Sequence, residues 1–279
     1  MELVTAILKK NSELTGREIE RIFAEKDGDT AVLWEACLYS AMSGGKRIRP
    51  TLTFEFAAML GGSEDSALPL AVATELVHTY SLIHDDLPCM DNDNVRRGKP
   101  SCHIVYGEAT ALLAGDALLT EAFRTVSESG ALSDKVKLKA ITELSEKAGI
   151  RGMIGGQQID LIGESAKLSA GLHRKMNLLK TAALMECAAV MGVTAANGDK
   201  EAERAAREYG RNIGLAFQAV DDLLDKGEEN KTTYLSFMTE NECRKYVDEL
   251  TDKALESVRH YGKSRNLCLI AEWLRSRTA

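Results

Sequence analysis

Ser81-Leu82-Ile83-His84-Asp85-Asp86-Leu87-Pro88-Cys89-Met90-Asp91-Asn92-Asp93-Asn94-Val95-Arg96-Arg97-Gly98-Lys99-Pro100 decides how the rest of this 279-residue chain is read. Asp85, Asp86, Asp91 and Asp93 lie within nine residues of one another, and two arginines follow at once. Like charges at the end of an apolar run repel one another unless a cation stands among them. Carboxylate oxygens suit Mg2+, which keeps several waters and shares its remaining positions with substrate phosphates. Arg96 and Arg97 would add bidentate, charge-assisted hydrogen bonds to the same phosphate oxygens. Taken alone, an acidic cluster is more often a solvated loop.

Working outward, the run from Ala67 to Ile83 is strongly apolar and reads as a helix over 67–86 that delivers Asp85 and Asp86 at its end. A helix C-terminus is where carboxylates are least welcome electrostatically, so bound cations would relieve the conflict. Pro88 cannot donate an intrahelical hydrogen bond, and a bulge around it should re-aim Asp91 toward the metals. An EF-hand is excluded: counting from Asp91, Arg96 stands where glycine is needed and Cys102 where glutamate is needed. A second cluster, Asp221-Asp222-Leu223-Leu224-Asp225, follows 136 residues later, at the end of the apolar run Ile213–Val220. On a helix Asp221 and Asp225 share a face. Two clusters that each close an apolar helix can face one another across a cavity and hold metals between them.

These paired clusters resemble the first and second aspartate-rich motifs of the trans-isoprenyl diphosphate synthases. The long first motif, Asp85-Asp86-x-x-x-x-Asp91, with Arg96-Arg97-Gly98-Lys99-Pro100 behind it, is most similar to the bacterial farnesyl diphosphate synthase type. Five motifs in order, from about residue 30 to 262, carry the resemblance. It implies an isoprenoid-synthase fold around a deep central cavity and three Mg2+ held by Asp85, Asp91 and Asp221, with Asp86, Asp222 and Asp225 near by. It also implies two diphosphate sites. Lys46, Arg49, His78 and Arg97 would bind isopentenyl diphosphate. Arg96, Lys180, Thr181, Gln218 and Lys231 would bind the allylic diphosphate.

Bland readings stand beside several of these residues. Gly45-Lys46-Arg47-Ile48-Arg49-Pro50 lacks the Walker spacing and reads otherwise as a basic turn before a helix opened by Pro50. His78 reads otherwise as a structural histidine, Glu75 as scaffold, and Lys180 as a lysine snorkelling from an apolar helix. The glycine-rich Gly152–Leu161 stretch should interrupt a helix and permit close backbone approach. After Asp225 the loop is shorter than the family pattern, with Lys231 matching its lysine turn. If the product tail runs along the helix that ends at Asp85, Tyr80 and Ser81 form its floor. A tyrosine there favours a C15 product. The rivals are a C20 synthase, a class I terpene cyclase, which needs no second diphosphate site, and a silent partner subunit, which would be expected to lose aspartates.

Only four prolines occur, and alanine, leucine, glutamate and lysine dominate, so the chain reads as all-α, one domain over 1–279 with ten or more helices. Helices are expected at 17–26, 30–43, 103–128, 240–261 and 265–277. A net charge of -7 argues against nucleic acid as the partner. The six cysteines are scattered without a C-x-x-C pair, as in a reduced, cytoplasmic protein. No signal peptide and no membrane span of 18 apolar residues are expected. The resemblance adds a homodimer.

Overall fold

Ser63, Ser133, Ser169 and Thr239 each accept a hydrogen bond from the backbone N–H three residues on, and a helix starts behind each. Acidic residues in the first turn, such as Glu64, Asp65 and Asp134, suit the positive end of the helix dipole. The computed structural model describes residues 2–24, 28–224 and 232–277. Within them the first half runs α1 (Glu2–Ile22), α2 (Ala31–Ala41), α3 (Ile48–Met59), α4 (Glu64–Asp85), α5 (Cys102–Tyr106), α6 (Glu108–Ser127) and α7 (Asp134–Ala148). The second half runs α8 (Met153–Ser165), α9 (Ala170–Asn177), α10 (Ala183–Ala195), α11 (Lys200–Leu224), α12 (Glu240–Val258) and α13 (Arg265–Arg275). A π-helical turn, Leu178–Ala182, joins α9 to α10. The fold is the expected all-α bundle of more than ten helices.

Every residue of α10 is buried, and α3, α4, α7 and α11 pack around it. Its one charge, Glu186, is met by Lys147 at 2.8 Å, Arg207 at 3.1 Å and Arg211 at 3.1 Å, which tie α7 and α11 to the core. Burial alone would push the Glu186 carboxyl up, but the Lys147 and Arg211 hydrogen bonds hold it below its usual value. Within the helical run Ala170–Ala195 an 18-residue window reaches a mean hydropathy of 1.4, although Lys180 and Glu186 break it so that no 18 consecutive residues are apolar. Its apolar window is 78% buried inside the protein, so the run is used here as core.

Three boundaries differ from the sequence expectation. The helix expected at 17–26 is the end of a longer α1, whose buried stripe includes Val4, Asn11, Thr15 and Ile19 among polar residues. Gly152–Leu161 does not interrupt a helix; most of it forms the start of α8. A two-stranded hairpin, β1 (Val95–Arg96) and β2 (Lys99–Pro100), pairs Val95 with Pro100 and Arg96 with Lys99. Its turn residues, Arg97 and Gly98, both have positive φ (52° and 76°), the backbone that a two-residue hairpin loop needs.

Candidate active site

Asp85 closes α4, and the chain then folds back so that the Asp91 N–H donates to the Asp85 carbonyl at 2.8 Å. This turn after Pro88 sets Asp91 beside Asp85. Burial pushes the Asp85 carboxyl up to about 6, with Lys180 opposing and Asp91 adding to the rise. Asp86, 2% exposed, goes elsewhere: it accepts from Arg96 at Nε (2.9 Å) and again at Nη2. Arg96 also reaches Asp93 at 3.0 Å. The pair Asp85-Asp86 therefore splits, the first facing the cavity and the second anchoring the hairpin.

A cavity of about 610 Å³ opens between α4, α6, α8 and α11. Arg49, His78, Tyr80, Ser81, Asp85, Lys180, Thr181 and Gln218 all line it, so eight of the sequence-predicted residues meet in one place. Ser81 donates to the His78 carbonyl at 2.9 Å. Lys180 and Thr181 are carried by the π-helical turn, a device that often marks functional sites. That turn is pinched between two glycines. A Cβ on Gly156 would stand 2.2 Å from the Lys180 nitrogen, and one on Gly214 would stand 2.5 Å from the Ala182 Cα. The close approach expected of the glycine-rich stretch is thus to another helix. Lys180 Nζ meets Asp160 at 2.5 Å and lies 4.0 Å from Asp85.

From Lys180 a polar chain runs into the second cluster. Thr181 donates to Gln218 at 3.3 Å, and Gln218 donates to Asp222 at 3.0 Å. Asp222, 8% exposed, also accepts from the Tyr234 N–H at 2.8 Å, so it ties down the chain before α12. Asp221 meets Arg277 at 2.5 Å, and that guanidinium also sits over the Phe217 ring. The C-terminal arginine is therefore a strap onto the site. In both clusters the second aspartate holds the fold together, Asp86 through Arg96 and Asp222 through the Tyr234 N–H. Asp85 lines the cavity, Asp221 is taken up by Arg277, and Asp222 also faces a smaller cavity beside Lys180, Thr181 and Gln218. Asp225 and Lys231 lie outside the described residues.

The basic side is built around a residue that sequence reading passed over. Arg47, 5% exposed and left-handed at φ 47°, caps α3 and pairs with the buried Glu75 and the Ala41 carbonyl. Glu75 is the scaffold expected of it, a buried carboxylate paired with Arg47 whose charge also favours the cationic forms of Arg49 and Arg97. Burial takes Arg49 down to about 10, with Glu75 opposing and Arg97 adding to the fall. His78 is held well below its ordinary value by burial and by Arg49, Arg97, Arg47 and Arg96, so it is neutral at physiological pH. Arg97 donates to the Gly44 carbonyl and lies 3.4 Å from His78. Gly45, at φ 110°, is the residue that admits it: a Cβ there would stand 2.5 Å from the guanidinium. Lys46 lies 5.5 Å from the centre of the Trp273 ring. The signal for Arg47 was its place between Lys46 and Arg49, next to a buried acid one helix on.

The donors near Asp85 are all hard oxygens, the kind magnesium takes. Among the described residues no group of three or more Asp, Glu, His or Cys side chains is gathered closely enough to hold an ion alone. Asp85 and Asp91 would hold such a cation, because a carboxylate buried beside another one favours a nearby positive charge.

The sequence profile of the polyprenyl synthetase family matches residues 30–261, and the chain belongs to that family, the prenyltransferases of isoprene biosynthesis. It is 39% identical over 262 residues to geranylgeranyl pyrophosphate synthase 12 of Arabidopsis thaliana, covering 87% of this chain and 73% of that one. With the farnesyl diphosphate synthase of Bacillus subtilis it shares 41% identity over 213 residues, 75% of this chain and 72% of that one. Among solved structures, an FPP/GFPP synthase from Zymomonas mobilis superposes with a TM-score of 0.90 at 36% identity, covering 98% of this chain and all of that one. A Helicobacter pylori geranyltransferase complexed with magnesium and isoprenyl diphosphate superposes at 0.86 with 29% identity, covering 97% of each chain.

Proposed function

We propose that this prenyltransferase condenses isopentenyl diphosphate head-to-tail with dimethylallyl and then geranyl diphosphate, giving farnesyl diphosphate (C15). The carrying observation is Tyr80, 4% exposed in the cavity wall, five residues before Asp85 on α4. At 1.5 Å per residue it lies roughly 7 Å below the diphosphate end, where a bulky ring limits the tail.

The residues divide the work by charge. Lys180 and Arg96, with Thr181 and Gln218 beside them, neutralise the diphosphate as the allylic carbon–oxygen bond breaks. Asp85, Asp91 and Asp221, with Asp86, Asp222 and Asp225 in support, would hold the three Mg2+ of this reading, which when bound would supply further positive charge to that leaving group. Lys46, Arg49 and Arg97 hold isopentenyl diphosphate, and neutral His78 orients it without adding charge. The double bond then attacks the allylic carbon, and the proton lost from the adduct goes to the departing diphosphate, so no general-base side chain is required. Lys231, outside the described residues, is a further contact to the allylic diphosphate in this reading.

The Arabidopsis relative named as a geranylgeranyl pyrophosphate synthase supports a second reading, a C20 product from the same chemistry. The protein is also proposed to be a cytoplasmic homodimer. The exposed Ile104, Val105, Leu112 and Leu113 of α5 and α6 give that pairing an apolar face, and six free thiols suit a reducing compartment. Product analysis with Mg2+, isopentenyl diphosphate and C5, C10 or C15 primers tests the assignment. A C15 end product supports it and a C20 end product replaces it.

A further inference from the structure

The cavity wall below Asp85 holds a side chain that the reading above leaves unused. His84 lies one helical turn beyond Tyr80, on the same face of α4, and the two rings meet edge-on with centroids 5.7 Å apart. His84 Nε2 stands 3.0 Å from the Leu112 carbonyl of α6. A carbonyl only accepts, so that nitrogen carries the proton. The imidazole fills a notch made by Gly115, where a Cβ would stand 2.0 Å from Nε2 and 2.4 Å from Cδ2. Asp116, next along α6, lies 3.9 Å away. The Tyr80 hydroxyl, by contrast, is buried with no hydrogen-bond partner in the protein. Tyr80 is therefore held by packing on His84, and His84 is held by α6.

We propose that His84, seated in the Gly115 notch, is a specificity-determining residue: it fixes the Tyr80 ring across the cavity and with it sets product length. The proposal rests on the prenyltransferase reading, because only a growing tail gives the floor a function. It differs from a floor made by Tyr80 alone in making a sign prediction at two positions that leave Tyr80 intact. His84→Ala removes a ring with about the heavy-atom count of one isoprene unit and frees Tyr80 to swing toward α6, so the product lengthens. Gly115→Ala fills the notch, and the imidazole, unable to keep its bond to Leu112, turns into the cavity, so the product shortens.

The test is product-length analysis of wild type, His84→Ala, His84→Asn and Gly115→Ala, each with Mg2+, isopentenyl diphosphate and C5 or C10 primers. Enzyme concentration is raised to compensate for any lost turnover, and folding is checked by circular dichroism. The expected result is a main product one C5 unit longer for His84→Ala, a mixture for His84→Asn, and a shift toward C10 for Gly115→Ala. Unchanged product length in folded, active variants overturns the proposal. Complete inactivity of the folded His84 variants, or failure of all three to fold, overturns it too, since a spacing residue is dispensable for both. If wild type itself makes no prenyl diphosphate from any primer, the underlying reading has failed instead.

Discussion

Replacing Glu75 by glutamine keeps the shape of the side chain and removes the charge that answers Arg47. Both side chains are nearly sealed from water, at 2% and 3% exposure. Arg47 is also held in a left-handed backbone at the head of α3, and its other bond is to the Ala41 carbonyl. Breaking a buried pair from one side costs about 3–5 kcal/mol, because the partner charge stays buried without its counterion. Unfolding entropy of about 2.1 cal/mol/K per residue gives roughly 0.6 kcal/mol/K for a chain of this length, so Tm should fall by about 5–9 °C. The assay is thermal unfolding followed by circular dichroism at pH 7.5. The double variant Glu75→Leu with Arg47→Met should recover most of the loss, since replacing both partners leaves no buried charge. A drop below about 2 °C for Glu75→Gln would refute the claim that this one carboxylate supports the basic pocket.

In metal-stripped protein, Asp85→Asn should be more stable than wild type at pH 8. The folded-state value, raised to about 6, means that Asp85 favours the fold only while protonated, and this contribution is lost as pH rises through 6. Two units or so correspond to roughly 3 kcal/mol, which should vanish near pH 4; equal Tm at pH 8 would count against it. Lys180→Met should lower kcat by about 100-fold with little change in the KM for isopentenyl diphosphate, the mark of charge stabilisation lost at the departing diphosphate. A KM effect alone would place Lys180 in ground-state binding. Tyr80→Ala should lengthen the main product by at least one C5 unit, read by mass spectrometry; an unchanged C15 product would move the floor elsewhere.

The all-helical class and the meeting of Asp85 with Lys180, Thr181 and Gln218 in one cavity were legible because their signals are local. Apolar runs end in acids, prolines are few, and Gly45 and Gly98 punctuate the turns. The anchoring roles of Asp86 and Asp222 were not legible. Asp86 and Asp222 find their partners, Arg96 and the Tyr234 N–H, only through the hairpin and the chain ahead of α12. Sequence alone gives neighbouring aspartates the same weight. Arg47 was missed for a related reason: three cations in four residues look alike until the packing of α3 on α4 buries one of them against Glu75. The glycines around Gly152–Leu161 were read as helix breakers by propensity, yet Gly156 lies inside α8 because the π-helical turn presses on it. The early part of α1 was unread because its buried face mixes Asn11 and Thr15 with Val4, which blurs the apolar period.

The most direct measurement is the product formed by purified protein from isopentenyl diphosphate with Mg2+ and, separately, C5, C10 and C15 allylic primers. The account predicts farnesyl diphosphate from the C5 and C10 primers and no extension of the C15 primer. Absence of any prenyl diphosphate from all three primers would contradict the proposed catalysis, and ready extension of the C15 primer would contradict the floor at Tyr80.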